Sequence, residues 1–176
     1  MQPPEAVHLR RALSEFATGV TIVATEHDGQ PVGFACQSFS SLSLEPPLVL
    51  FTVMRTSRSW PRIKETGQFA VSVLTEEHRP ISEVFGRSNP DKFAHGTWER
   101  TPNGNPILEG CAVWFDCLIE QVVPAGDHYI VIGRVCGLGQ RIEQRPLVYH
   151  RSSYAKLITA GQDAKSEELW RQRPSV

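Results

Sequence analysis

A surplus of charge of either sign is missing from this sequence. Its 18 Lys and Arg residues offset 19 Asp and Glu, leaving a formal net charge of -1 over 176 residues. No long-range field favours nucleic acid or an anionic membrane, so partners that need a basic surface are excluded. Long hydrophobic runs are missing too: the longest, Pro46 to Val53, falls far short of the roughly 20 residues that span a bilayer. The opening Met1-Gln2-Pro3-Pro4-Glu5 has no basic stretch followed by an apolar segment, and a cytoplasmic location is expected. Catalytic signatures are equally scarce. There is no Walker A sequence, no His-Glu-x-x-His and no Gly-x-Ser-x-Gly, so phosphoryl transfer, zinc hydrolysis and hydrolase-type acyl transfer lack residue support. Gly137-Leu138-Gly139 begins like a dinucleotide fingerprint, but no third glycine and no helical pattern follow it, which excludes that reading. The four cysteines, Cys36, Cys111, Cys117 and Cys136, form no C-x-x-C pair and have no histidine at metal-ligand spacing. They are expected to be small buried apolar residues.

What is present is ordinary globular composition, 40% apolar and 21% charged. The length suits one domain over residues 1–176, with a core of about 10–156 and a polar, peripheral tail over 157–176. Ala6, Leu9, Leu13 and Phe16 recur at helical spacing and predict a short amphipathic helix. Gly19 to Glu26 is rich in β-branched residues, and Asp28-Gly29 centres a turn from which Pro31 to Gln37 returns as the second arm of a hairpin. Pro47 to Met54 and Gln68 to Leu74 are two further strands. Between them lies a short helix with Ser59 as N-cap, Pro61 in its first turn and Gly67 as its stop. Thr75 to Gly86 predicts a second helix with Ile81, Val84 and Phe85 as its buried stripe, and a polar loop runs through Asn89-Pro90-Asp91. Cys111 to Val123 and His128 to Leu138 are long strands joined by the tight Pro124-Ala125-Gly126-Asp127 turn, and Pro146 to His150 closes the set. Six or so strands with only short helices between them predict a mainly β, antiparallel barrel rather than a doubly wound sheet.

Three segments carry possible chemistry. In Phe34-Ala35-Cys36-Gln37-Ser38-Phe39-Ser40-Ser41-Leu42-Ser43 four serines follow a strand. Such a segment can be a plain polar loop, or it can offer main-chain N–H groups and hydroxyls to a heteroaromatic edge or a phosphate without adding charge. Arg55-Thr56-Ser57-Arg58-Ser59-Trp60-Pro61 stands where a strand meets a helix, so hydroxyls, a guanidinium and a helix start converge as an anion needs. Its bland alternative is a capping serine beside a solvated arginine. Gly126-Asp127-His128 sits at the tip of the long hairpin, where His128 is either a solvated polar residue or a functional one steadied by the neighbouring carboxylate.

Together these segments resemble the flavin reductase family, the small reductase components of two-component flavin-dependent monooxygenases. The resemblance runs from about Phe16 to Tyr154. It is carried by Phe16-Ala17-Thr18-Gly19-Val20-Thr21-Ile22-Val23, by Gly33 to Ser43 with Glu45-Pro46-Pro47-Leu48-Val49-Leu50, and by Phe69-Ala70-Val71-Ser72-Val73-Leu74. Asp91-Lys92-Phe93, Gly126-Asp127-His128 with Ile132-Gly133, and Pro146-Leu147-Val148-Tyr149 complete it. The resemblance implies a six-stranded antiparallel Greek-key split barrel, assembled as a homodimer with flavin at the subunit interface. It implies that Ala35, Cys36, Gln37, Ser38 and Ser41 line the ring and ribityl chain, that Ser57, Arg58 and Ser59 hold phosphate, and that Arg87, Arg151 and Tyr154 also contact the cofactor. His128 would stand near the nicotinamide. In the closing motif, Tyr149 to Tyr154, Ser152 takes the place of the family's glycine.

The activity so implied is reduction of FMN or FAD by NADH or NADPH, with the reduced flavin passed to a partner monooxygenase. Hydride transfer between these two needs no protein nucleophile, which suits a chain with so few ionisable candidates. The competing expectations are another split-barrel flavoenzyme, acting on a pyridoxine-type or deazaflavin-linked substrate, and a flavin- or haem-binding protein without turnover.

Overall fold

A computed structural model describes residues 3–87, 91–139 and 143–157. In chain order the elements are α1 (Ala6–Leu13), β1 (Thr18–Gly19), β2 (Thr21–His27), β3 (Gln30–Cys36), β4 (Ser40–Ser43), β5 (Leu48–Met54), α2 (Trp60–Thr66) and β6 (Gln68–Val73). Then come α3 (Arg79–Phe85), β7 (Trp98–Arg100), β8 (Pro106–Leu108), β9 (Val113–Ala125), β10 (His128–Leu138), β11 (Val148–His150) and β12 (Ser153–Ala155). The tail from residue 158 and the loop at Asn89-Pro90 lie outside the described residues.

Local turn chemistry sets the hairpins. Asp28 and Gly29 both take left-handed φ, 51° and 72°, the combination whose twist matches the two strands it joins. Gly126, at φ 58°, does the same between β9 and β10. Seven strands then form one antiparallel sheet in the order β3-β2-β6-β9-β10-β5-β4. The extra strand relative to the expected six is β4, part of the serine segment, which pairs Ser40 with Leu50 and Ser41 with Val49. Smaller sheets, β1-β11-β12 and β7-β8, complete the mainly β, antiparallel architecture.

Side chains show how the sheet curls. β3 and β5 stand far apart in the strand order, yet the rings of Phe34 and Phe51 meet at 5.9 Å, and Phe51 packs edge-on against Phe69 of β6 at 5.1 Å. The sheet therefore closes on itself around Val23, Phe51, Ile63, Phe69, Val71 and Val131. No ladder joins β3 to β5 among the described residues, so the barrel is split along this seam. Ser38 clips the seam: its hydroxyl accepts from the Thr52 N–H at 2.8 Å and donates to the Thr52 carbonyl at 3.1 Å. At Gly133 of β10 an added Cβ would collide with the Phe69 ring, so only glycine admits that ring to the core.

The outer face of β2 is buried as well, because Val20, Ile22 and Ala24 pack with Phe85, Leu108 and Leu147 in a second cluster. Beside it runs a buried polar chain. Thr25 Oγ1 donates to Asn105 Oδ1 at 3.0 Å, Asn105 Nδ2 donates to Asp116 Oδ1 at 2.8 Å, and the Asn103 N–H reaches Asp116 Oδ2 at 3.3 Å.

Three expectations are corrected. Ser59 does occupy the N-cap of α2 but does not cap it; its hydroxyl donates to the Gly33 carbonyl at 3.0 Å, and the Ser57 hydroxyl accepts from the Trp60 N–H at 3.2 Å instead. The helix expected over 75–86 is a 3-10 turn (Glu76–His78) followed by α3, because Pro80 has no N–H to continue one ladder and constrains the residue before it. Its buried residues are Ser82 and Phe85, with Ile81 and Val84 only partly covered. Cys136 is exposed on β10, whereas Cys36, Cys111 and Cys117 are buried as expected. The expected amphipathic helix forms as α1 and buries none of its residues within the chain: Val7, Leu9, Leu13 and the nearby Phe16 are 65%, 45%, 63% and 77% exposed.

Candidate functional site

An open cleft of about 830 Å3 lies over the barrel seam. One wall is the end of β3, from Phe34 and Ala35 through Cys36, Gln37 and Ser38. The other is Thr52, Val53 and Met54 of β5, followed by Thr56, Ser57, Arg58 and Ser59 at the entry to α2. His128, Gly86 and Lys92 complete the lining. The position follows from topology: a barrel with an unpaired seam exposes main chain there, and the three segments meet because β5 lies beside β10 while β3 curls back to it. His128 pairs in register with Met54.

Of the residues singled out in the sequence, Ala35, Cys36, Gln37, Ser38, Ser57, Arg58, Ser59 and His128 all line this cleft. Ser41 stands outside it, exposed on β4. Arg87 follows the cleft residue Gly86 and is exposed. Arg151 and Tyr154 belong to the β11–β12 hairpin. There Arg151 Nε donates to Glu15 at 2.9 Å, and its main-chain N–H holds the Ser14 carbonyl. Tyr154 donates to the Ser82 hydroxyl at 2.9 Å. Ser152 takes a left-handed φ of 60°, so the serine keeps the conformation for which glycine is suited. Sequence reasoning gave no role to Phe34, Thr52, Met54, Thr56 or Lys92. The Asp91-Lys92-Phe93 motif was the one signal for Lys92.

The electrostatics of the cleft lean one way, since none of its lining residues is acidic and two are cationic at neutral pH, Arg58 and Lys92. His128 Nδ1 sits 2.7 Å from Asp127 Oδ1, which leaves Nε2 as its second ring nitrogen. The hydrogen bond to His128, and the charge of His128 and Arg55, hold the Asp127 carboxyl below its usual range. Burial pushes the Cys36 thiol up, so it serves as a neutral wall and not as a thiolate. An acid-free cleft lined by apolar and hydroxyl side chains together with two cations fits an isoalloxazine ring carrying a phosphorylated chain.

The flavin reductase-like domain model matches residues 13–157. The chain belongs to the flavin reductase-like family. It is 50% identical over 153 residues to the reductase subunit HsaB of a flavin-dependent monooxygenase from Rhodococcus jostii, covering 85% of this chain and 78% of that protein. Among solved structures, a nitrilotriacetate monooxygenase component B homologue from Mycobacterium thermoresistibile superposes with TM-score 0.84 at 44% identity, over 89% of this chain and 90% of that one. The NADH:FAD oxidoreductase SgcE6 of Streptomyces globisporus, in complex with NAD and FAD fragments, superposes with TM-score 0.84 at 29% identity, over 90% and 96%. This flavin reductase is thus an oxidoreductase linking NAD(H) to flavin, of the kind that forms the reductase component of two-component monooxygenases. No helix among its described residues is long and apolar enough to cross a membrane.

Proposed function

We propose that the cleft over the seam is where this reductase holds FMN or FAD and brings NADH or NADPH to it. The observation that carries the reading is convergence: segments ending at Ser38 and Ser59, and one beginning at His128, meet around a single acid-free cleft. Flavin, when bound, supplies the hydride acceptor, and reduced nicotinamide the donor. The chain's own residues bind and align, and alignment of reactants can supply a large part of the barrier reduction. Because the Ser38 hydroxyl is already spent on Thr52, the main chain of residues 35–38 is what this wall offers to the ring edge. Ser57 and Arg58 take the phosphate end. Asp127 holds His128 through Nδ1, so Nε2 is turned to positioning nicotinamide and no acid–base step is assigned to it.

Ser41, Arg87, Arg151 and Tyr154 lie outside the cleft of one chain, and a homodimer is the arrangement in which their contact with flavin can arise. The uncovered apolar stripe of α1 and Phe16 supports a second copy, since a helix of 8 residues is marginal in water without tertiary packing. The product is reduced flavin, delivered in the cytoplasm to a partner monooxygenase. Anaerobic mixing with FMN or FAD and each nicotinamide tests the reading: visible flavin absorbance is lost with at least one pair. Flavin that binds but never bleaches would instead favour a non-reductase split-barrel protein, and a monomer mass with full activity would remove the homodimer.

A further inference from the structure

We infer, on the reading of the cleft as the flavin and nicotinamide site, that Arg55 takes the pyrophosphate of the nicotinamide dinucleotide. Arg55 is exposed and follows Met54, the last residue of β5, which pairs with His128. Its main-chain N–H donates to the Asp127 carbonyl at 2.9 Å, so it stands against the hairpin tip, one step beyond the Met54–His128 pair. Its guanidinium carbon lies 5.4 Å from the centroid of the Tyr129 ring, and that ring packs at 6.1 Å on Trp60, which is buried. A series running from core to surface, Trp60, Tyr129 and Arg55, therefore fixes where this cation stands.

A dinucleotide cannot bring its nicotinamide to His128 without bringing its diphosphate as well. It meets there the Asp127 carboxylate, exposed and held ionised at neutral pH by the hydrogen bond to His128 and by the charges of His128 and Arg55. A carboxylate repels a diphosphate, and Arg55 is a permanent cation whose field reaches that carboxylate. The cations that line the cleft are engaged elsewhere. Arg58 takes the flavin phosphate in the same reading, and Lys92 donates to the Gly33 carbonyl at 3.3 Å, which the Ser59 hydroxyl also reaches. The guanidinium of Arg55 makes no hydrogen bond or ion pair among the described residues, and a cation over a ring is held by the ring's quadrupole rather than by a donated proton. Its five N–H donors are thus available, in the planar fork that suits adjacent phosphate oxygens.

The test uses the full chain with saturating flavin and two reductants, NADH and N-benzyl-dihydronicotinamide, which share the reacting ring while the second has no phosphate. Arg55→Gln removes the charge and keeps a planar amide for Tyr129, and Arg55→Lys keeps a charge without the fork. Anaerobic flavin reduction followed by absorbance is expected to give an NADH KM raised on the order of ten- to a hundredfold in Arg55→Gln, the scale of one charge-assisted contact. The KM for the benzyl donor and the Kd for FMN stay within about twofold, because neither ligand brings a diphosphate to the hairpin tip. Arg55→Lys recovers part of the NADH affinity. Equal rises for both donors, an unchanged NADH KM, or a matching loss of FMN affinity would overturn the assignment and leave Arg55 a packing residue on Tyr129. A rise confined to NADPH would overturn it too, since that places the contact on the ribose phosphate that NADPH adds. Should the unaltered chain reduce neither FMN nor FAD with any of these donors, the reading of the cleft itself fails, an outcome distinct from loss of the dinucleotide contact. Thermal melting against the parent shows that fold is retained, and Arg55→Met carries the decision if Arg55→Gln melts early.

Discussion

Replacing Gly33 by alanine sets two effects of opposite sign against each other on β3, one residue before the cleft wall begins. Gly33 does not use a left-handed φ, so its backbone accepts alanine. Restricting the unfolded chain would by itself stabilise by about 0.4–1 kcal/mol. Against this, the new Cβ would stand 2.7 Å from the Val23 carbonyl oxygen, 3.0 Å from Ala24 Cβ and 3.1 Å from the Phe93 ring. Two of those three neighbours belong to β2, which β6 holds from its other edge, so they have little room to retreat. Overpacking of this kind costs about 1–3 kcal/mol, so the clash wins and a net loss of about 1–2 kcal/mol is expected. The displacement also carries the Gly33 carbonyl away from the Ser59 hydroxyl and the Lys92 ammonium, so FMN binding weakens while the barrel stays folded. Urea denaturation and flavin titration on the same preparation measure both. A Gly33→Ala protein as stable as the parent, with unchanged FMN affinity, would refute the reasoning about β3 packing and about the shared carbonyl.

Asn105→Ala removes one neutral hydrogen bond and one to a buried carboxylate, a loss of about 2–4 kcal/mol by the usual values, read by chemical denaturation; a change below about 1 kcal/mol would show that the polar chain is not what pins this loop. His128→Ala should raise the nicotinamide requirement and leave flavin affinity intact; a drop on the order of 10²–10⁴ in the rate at saturating nicotinamide would make His128 a general acid instead. His78 accepts from the Thr75 N–H through Nδ1, and burial lowers its pKa below the ordinary histidine value of 6.5. The folded chain therefore resists a proton that the unfolded chain takes up, so stability contributed above that value is lost as pH falls through and below it. His78→Gln should flatten that part of the stability-against-pH curve, and an unchanged slope would count against it. Thiol labelling of the native protein should modify Cys136 first, since burial raises the thiols of Cys36 and Cys111 and pushes that of Cys117 up to about 12. Rapid labelling of Cys117 would contradict its place in the core.

Sequence alone determined what local chemistry controls. Asp28-Gly29 and Gly126-Asp127 had to turn, because few other residues reach those dihedrals cheaply, and the β-branched runs between them had to pair as strands. The hairpins also make His128 begin a strand, whereas the segments around Ser38 and Ser59 stood out by their hydroxyls and Arg58, and it was the family resemblance that named their residues as a site. What only the tertiary structure decided are the long-range choices. Thr25 meets Asn105 across 80 residues and Lys92 meets Gly33 across 59, contacts that no periodicity encodes. The seam between β3 and β5 and the direction of the Ser59 proton both follow from how the curled sheet brings Phe34 onto Phe51. A hydroxyl gives its proton to the best acceptor within reach, and the acceptors within reach are set by packing rather than by neighbours in the chain.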